Sequence, residues 1–170
     1  MRILATALVA SVGLGAVAVP SEACGDKLLV IGRRVKRVPL AKHPASVLLY
    51  MRPGSALPTA AKEMKLETTL RQAGHRVDTV DQVDRLRGQL AAGRYDFVLT
   101  DLPDAGPVAR EAGSGPRAPG VVPVAYKAGD DALRDSREAY PVVIQAGKSL
   151  SYLSALDAAM RQREGTGNGR

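Results

Sequence analysis

Apolar and polar positions fall into three successive rhythms along this chain. The first is an almost unbroken apolar run, residues 3–18, behind Met1 and Arg2 and interrupted only by Ser11, Gly13 and Gly15. The second, residues 26–38, sets Leu28, Ile31, Val35 and Val38 on one helical face, with Arg33, Arg34, Lys36 and Arg37 between them. From residue 46 onward short apolar runs alternate with stretches of helical spacing. Strands are predicted over 46–51 (SVLLYM), 75–80, 95–100, 121–126 and 141–145. A helix is predicted over 59–73, with Ala60, Met64 and Leu70 inward and Gly74 as its stop. A second begins at the cap Asp81, carries Val83, Leu86 and Leu90, and ends at Gly93. A polar, exposed helix is predicted over 129–139, and a last one over 150–163 with Leu153, Leu156 and Met160 inward. Residues 102–120, rich in Pro, Gly and Ala, read mostly as loop, with a poor helix at 108–112.

Five strands alternating with helices imply a parallel sheet covered on both faces. The fold class is therefore α/β, a three-layer α/β/α sandwich. Its most economical five-stranded order is 2-1-3-4-5, the flavodoxin-like arrangement. In such sheets function gathers at the carboxyl ends of the strands, which points to the loops 52–55, 101–105, 127–129 and 147–149. The chain divides into a signal peptide (1–23), a basic N-terminal arm (24–45), the α/β domain (46–163) and a disordered tail (164–170).

A charged start, an apolar stretch and small-residue cleavage options, Ala16-Val17-Ala18 and Ser21-Glu22-Ala23, make a secretory signal. The expectation is export to the periplasm or the extracellular medium, with the chain possible as a peripheral guest at a membrane surface. A spanning helix needs about 20 apolar residues, more than this run supplies. Cys24 is the single cysteine, so the exported domain holds itself together without an internal disulfide. Lipid on Cys24 is disfavoured by Glu22, where lipoprotein signals usually carry an aliphatic residue. The basic helical face at 26–38 either docks on a membrane surface or a partner, or packs against the domain as a solvated face; the second is preferred.

The formal net charge is +7, and loss of residues 1–23 removes one Arg and one Glu and leaves it unchanged. That favours acidic surfaces or small anions as partners. Nucleic acid is disfavoured by export, by the content of one Phe, five Tyr and no Trp, and by the lack of a recognisable motif.

Residues 95–102, Tyr-Asp-Phe-Val-Leu-Thr-Asp-Leu, resemble the third strand of response-regulator receiver domains, which ends in the phospho-accepting aspartate; Asp101 matches it. Residues 141–148, Pro-Val-Val-Ile-Gln-Ala-Gly-Lys, resemble the fifth strand with the family's phosphoryl-contacting lysine, matched by Lys148. The resemblance covers roughly residues 45–163 and implies a CheY-like fold. The departures are as telling. Receivers place two or three acids at the end of the first strand to bind Mg²⁺, and here Tyr50-Met51-Arg52 stands there. The switch Ser or Thr is replaced within Ala125-Tyr126-Lys127, the Met-Pro after the aspartate by Asp104-Ala105, and the Pro after the lysine by Ser149. Phosphoryl transfer leans on a metal's charge, so the expectation is a degenerate receiver that has lost phosphotransfer.

In the expected fold Arg52, Lys127 and Lys148 converge on Asp101 and leave a positive crevice, a candidate anion site. The alternative is structural: Asp101 pairs with Lys148 or Arg52 and no ligand exists. His43 and His75 lack a metal-ligand partner at useful spacing and are expected as solvated turn residues. No catalytic residue, metal or cofactor is indicated. The function expected is a non-catalytic interaction or signalling module with a protein partner. Its contact face, on the fourth strand, fifth strand and last helix, would include Tyr126, Tyr140 and Tyr152. The alternative is a binding protein for a small anion.

Overall fold

The computed structural model describes residues 38–115, 117–147 and 151–167. The N-terminal apolar run, Cys24, most of the basic helical stretch and Lys148 lie outside them. Five strands, β1 (Ser46–Tyr50), β2 (Arg76–Val80), β3 (Phe97–Asp101), β4 (Gly120–Ala125) and β5 (Ile144–Gln145), form one parallel sheet in the order β2-β1-β3-β4-β5. Among the described residues six helices accompany them: α1 (Leu57–Glu63), α2 (Leu66–Gln72), α3 (Val83–Ala91), α4 (Ala105–Ala112), α5 (Asp130–Ala139) and α6 (Ser151–Gly167). A 3₁₀ turn, Leu102–Asp104, joins β3 to α4.

The central strands β1, β3 and β4 are mostly apolar because both faces are covered. Side chains alternate across the sheet. Val47, Leu49, Phe97, Leu99, Val122 and Val124 meet Leu57 and Ala61 of α1, Leu66 and Leu70 of α2, and Leu153 and Leu156 of α6. Leu48, Tyr50, Val98 and Val121 meet Leu86 of α3 and Val108 of α4 on the other side.

Several expected boundaries change. The single helix over 59–73 is two helices, parted at Lys65, whose backbone is left-handed (φ 49°). Leu57, Ala60, Ala61 and Met64 form one i, i+3, i+4, i+7 stripe; continued, it would turn Glu67, Thr68 and Arg71 inward. The break resets the phase so that Leu66, Thr69, Leu70 and Ala73 face the core instead. The loop expected over 102–120 holds a full helix, α4, buried through Ala105 and Val108. β5 is shorter than predicted, pairing only at Val124↔Ile144 and Ala125↔Gln145.

The chain on either side of the expected domain limits belongs to the domain. Val38 and Ala41 pack on the core, and the Ala41 N–H donates to the Ala73 carbonyl at 2.8 Å. The N–H groups of Lys42 and His43 donate to the Asp157 carboxylate at 3.3 and 3.0 Å, and His43 Nδ1 lies 3.0 Å from Glu164 Oε2. Residues 38–45 are thus a strap clipped to α6 rather than a separate arm, and 164–167 continue α6 rather than a disordered tail. No helix among the described residues is long and apolar enough to cross a membrane.

Candidate functional site

The carboxyl ends of β1 and β3 lie side by side, paired through Tyr50↔Thr100. They bring Arg52, Asp101 and Asp104 into one neighbourhood. Asp101 closes β3 in extended backbone (φ −61°, ψ 147°) and is the N-cap of the 3₁₀ turn, with Pro103 in the turn's first positions. Its side chain turns back into the protein. One carboxylate oxygen accepts the Ala56 N–H at 2.7 Å, and the other accepts the Leu102 N–H at 3.0 Å. Only 6% of the residue is exposed. Asp101 therefore ties the start of α1 to the end of β3.

Arg52 does not pair with Asp101. Its Nε sits 2.9 and 3.0 Å from the two oxygens of Asp104, and this hydrogen bond, with the charge of Asp104, holds the guanidinium firmly protonated. Tyr50, buried beneath the pair, has its hydroxyl pushed above the usual tyrosine range, first by burial and then by Asp104. Lys127 turns elsewhere. Its left-handed backbone (φ 50°) carries the ammonium over the Tyr126 ring, 4.9 Å from the centroid. The Tyr126 hydroxyl donates to Glu63 at 2.8 Å. Hydrogen bonding to Tyr126, then the charges of Tyr126 and Glu63, raise the lysine's pKa. The expected convergence on Asp101 is not formed by Arg52 or Lys127; Lys148 lies outside the described residues.

The chemistry of this end does not suit a magnesium ion. A hard cation needs free carboxylate oxygens. Here Asp101 is engaged by two backbone N–H groups, Asp104 by a guanidinium, and the position past β1 holds that guanidinium instead of an acid. No group of three acidic, His or Cys side chains suited to a metal occurs among the described residues.

The three tyrosines separate. Tyr126 and Tyr140 are half-buried, with surface to offer. Tyr152 is 2% exposed and packs in the core, where burial raises its pKa, so it is no part of an outer face. Its residue number falls on the inward stripe of α6 beside Leu153 and Leu156. His75 is buried as well, not solvated: its Nδ1 accepts the Ala45 N–H at 3.1 Å. Asp104 stands in the expected loop 101–105, but its role as the partner of Arg52 was not among the expectations. Its signal was the pair Asp101-x-x-Asp104 around Pro103, which reads as a capped turn facing Arg52.

A sizeable cavity lies elsewhere. A cleft of 810 Å³ opens at the amino ends of β3 and β4, lined by Phe97, Gly120, Val122, Tyr140, Val142 and Arg163 among others.

Sheet order, layering and the aspartate at the end of β3 define a receiver-like, flavodoxin-like α/β domain. Among solved structures it matches the signal receiver domain of a Vibrio parahaemolyticus protein assigned as a LuxO repressor, with a TM-score of 0.51 and 12% identity over 75% of this chain and 100% of that one. At that identity the likeness is one of fold. No family model and no curated protein matches the sequence.

Proposed function

We propose that this chain is an exported, non-catalytic receiver-like module that acts through protein contacts and is not switched by aspartyl phosphorylation. The engagement of Asp101 carries the reading. A phospho-accepting carboxylate must offer an oxygen to the donor. Here each oxygen holds a backbone N–H, at 2.7 and 3.0 Å, in a residue 6% exposed. Attack through either oxygen would weaken a contact that fixes the start of α1 or the turn after β3. The neighbouring charge that would have to be met by a metal is met by Arg52 and Asp104 pairing with each other. Export rests on the apolar run and the small-residue sites that follow it, and it would separate the domain from cytoplasmic kinases. Tyr126 and Tyr140 supply half-buried aromatic surface of the kind protein interfaces use.

The anion-binding reading has weaker support. Lys127 is exposed, but Arg52, its partner cation in that reading, already has a carboxylate.

Acetyl phosphate with magnesium, followed by mass spectrometry of the intact chain, tests the phosphorylation half. The mass is expected to stay unchanged; an adduct that disappears in Asp101→Asn would overturn the reading. Photo-crosslinkers placed at Tyr126 and Tyr140 in the native envelope test the contact half, and silence from both positions would remove it.

A further inference from the structure

The shortness of β5 leaves part of the sheet edge open. β5 meets β4 only at Val124 and Ala125, while β4 pairs with β3 from Gly120 onward. Successive residues of a parallel strand turn their N–H and C=O groups to opposite neighbours. Gly120 donates to Asp96 on the β3 side, and the Ala125 carbonyl accepts from Ala146 on the β5 side. Val121, one residue past Gly120, therefore turns its N–H and C=O toward the open side. The segment that would cover it, Tyr140, Pro141 and Val142, stands off and forms the far wall of the 810 Å³ cleft. Phe97, Val122 and Ala159 make its floor and are 3%, 2% and 7% exposed. Small-molecule sites are commonly apolar clefts of about 300–1,000 Å³ with a few polar groups at fixed places.

One cation overlooks this apolar surface. The Arg163 guanidinium lies 5.8 Å from the Phe97 ring centroid, and its Nη1 donates to the Ala118 carbonyl at 2.9 Å. Among the described residues no carboxylate forms an ion pair with it. Gly120 lets the floor approach the strand closely: a Cβ there would meet the Phe97 ring at 3.0 Å. An unmatched guanidinium beside an apolar wall and an open backbone N–H selects an amphipathic anion. We infer that the cleft binds a small carboxylic acid with an apolar body, its carboxylate on Arg163 and the Val121 N–H, its body against Val122, Val142 and Ala159. The site lies at the opposite end of the strands from Asp101, so it stands or falls independently of the phosphorylation question.

The test is a titration of the full chain with octanoate and phenylacetate, followed by amide chemical shifts, with octanol and phenylacetamide as uncharged matches. Shifts are expected at 120–122, 140–142 and 163, with octanoate preferred over octanol by about tenfold or more, the usual weight of a charge-assisted hydrogen bond. Arg163→Met should bring octanoate down to the level of octanol, while Arg52→Ala should leave it unchanged. Ala109→Trp, filling the cleft from α4, should remove binding of both; its thermal midpoint shows whether it folds. Equal affinity for octanoate and octanol in the natural chain, no binding by any acid, or shifts centred on Arg52 and Asp104 would overturn the inference.

Discussion

Asp101 ends β3 with its carboxylate facing inward, and that orientation decides what it can do. Removing it would leave the Ala56 and Leu102 N–H groups without their acceptor. Asp101→Ala should cost about 2–3 kcal/mol in urea unfolding, and Asp101→Asn less, since the amide keeps one acceptor. No difference between Ala and the natural residue would mean the cap is not what the side chain supplies. His75 makes a second buried tie. Its Nδ1 accepts the Ala45 N–H, its Nε2 meets no protein partner, and burial lowers its pKa against the opposing pull of Asp157. An unfolded histidine titrates near pH 6.5, so below that pH the unfolded chain takes up a proton that the folded one resists. Stability should be complete above about pH 6.5 and fall as pH drops toward the lowered folded value. His75→Asn, which keeps an acceptor, should flatten the fall; an equal slope in both proteins would assign it elsewhere. The sequence marked the place of Asp101 but not its role, because its partner is a backbone N–H 45 residues earlier, which no side-chain pattern encodes. His75 departs from the expected solvated turn for a similar reason. Gly74 does turn the chain (φ 99°), but the turn folds His75 under Ala45 rather than into water.

At the scale of elements, the break between α1 and α2 shows how much a pattern holds when its phase is followed. Leu57 to Met64 and Leu66 to Ala73 are the same stripe displaced, and only a helix broken at Lys65 buries both. A left-handed backbone costs a residue with a Cβ about 1–2 kcal/mol, which glycine avoids at some loss of unfolded-state entropy. Lys65→Gly should therefore gain up to about 1 kcal/mol in thermal unfolding and the β-branched Lys65→Ile should lose about as much. The reverse order would place the strain elsewhere. The central strands were legible because burial on both faces makes them mostly apolar, whereas the edge strand β2 (RVDTV) mixes buried and exposed positions. The end of β5 was not, because Pro141, Val142 and Val143 are as apolar as a strand and yet pair with nothing. The strap 38–45 leaves little trace in the sequence because its hold on the domain is through main-chain N–H groups reaching Asp157.

For the molecule as a whole, alternation of strand and helix was enough to give the sheet order β2-β1-β3-β4-β5, and the solved receiver domain has the same fold at 12% identity. What alternation cannot give is the direction of long side chains. Arg52 and Lys127 come from loops at the expected end of the sheet, and each finds a nearer partner, Asp104 and Tyr126, before reaching Asp101. The fold is receiver-like, and in it Asp101 is a strut between the start of α1 and the end of β3; under the proposed function it accepts no phosphoryl group. Thermal unfolding of the full chain with beryllofluoride, a phosphoryl mimic, in the presence and absence of magnesium tests this most directly. A ligand at 100 times its dissociation constant adds about 2.7 kcal/mol, well within detection. No shift beyond that of magnesium alone is expected, in the natural chain and in Asp101→Asn alike. Magnesium-dependent stabilisation by beryllofluoride that vanishes in Asp101→Asn would contradict it.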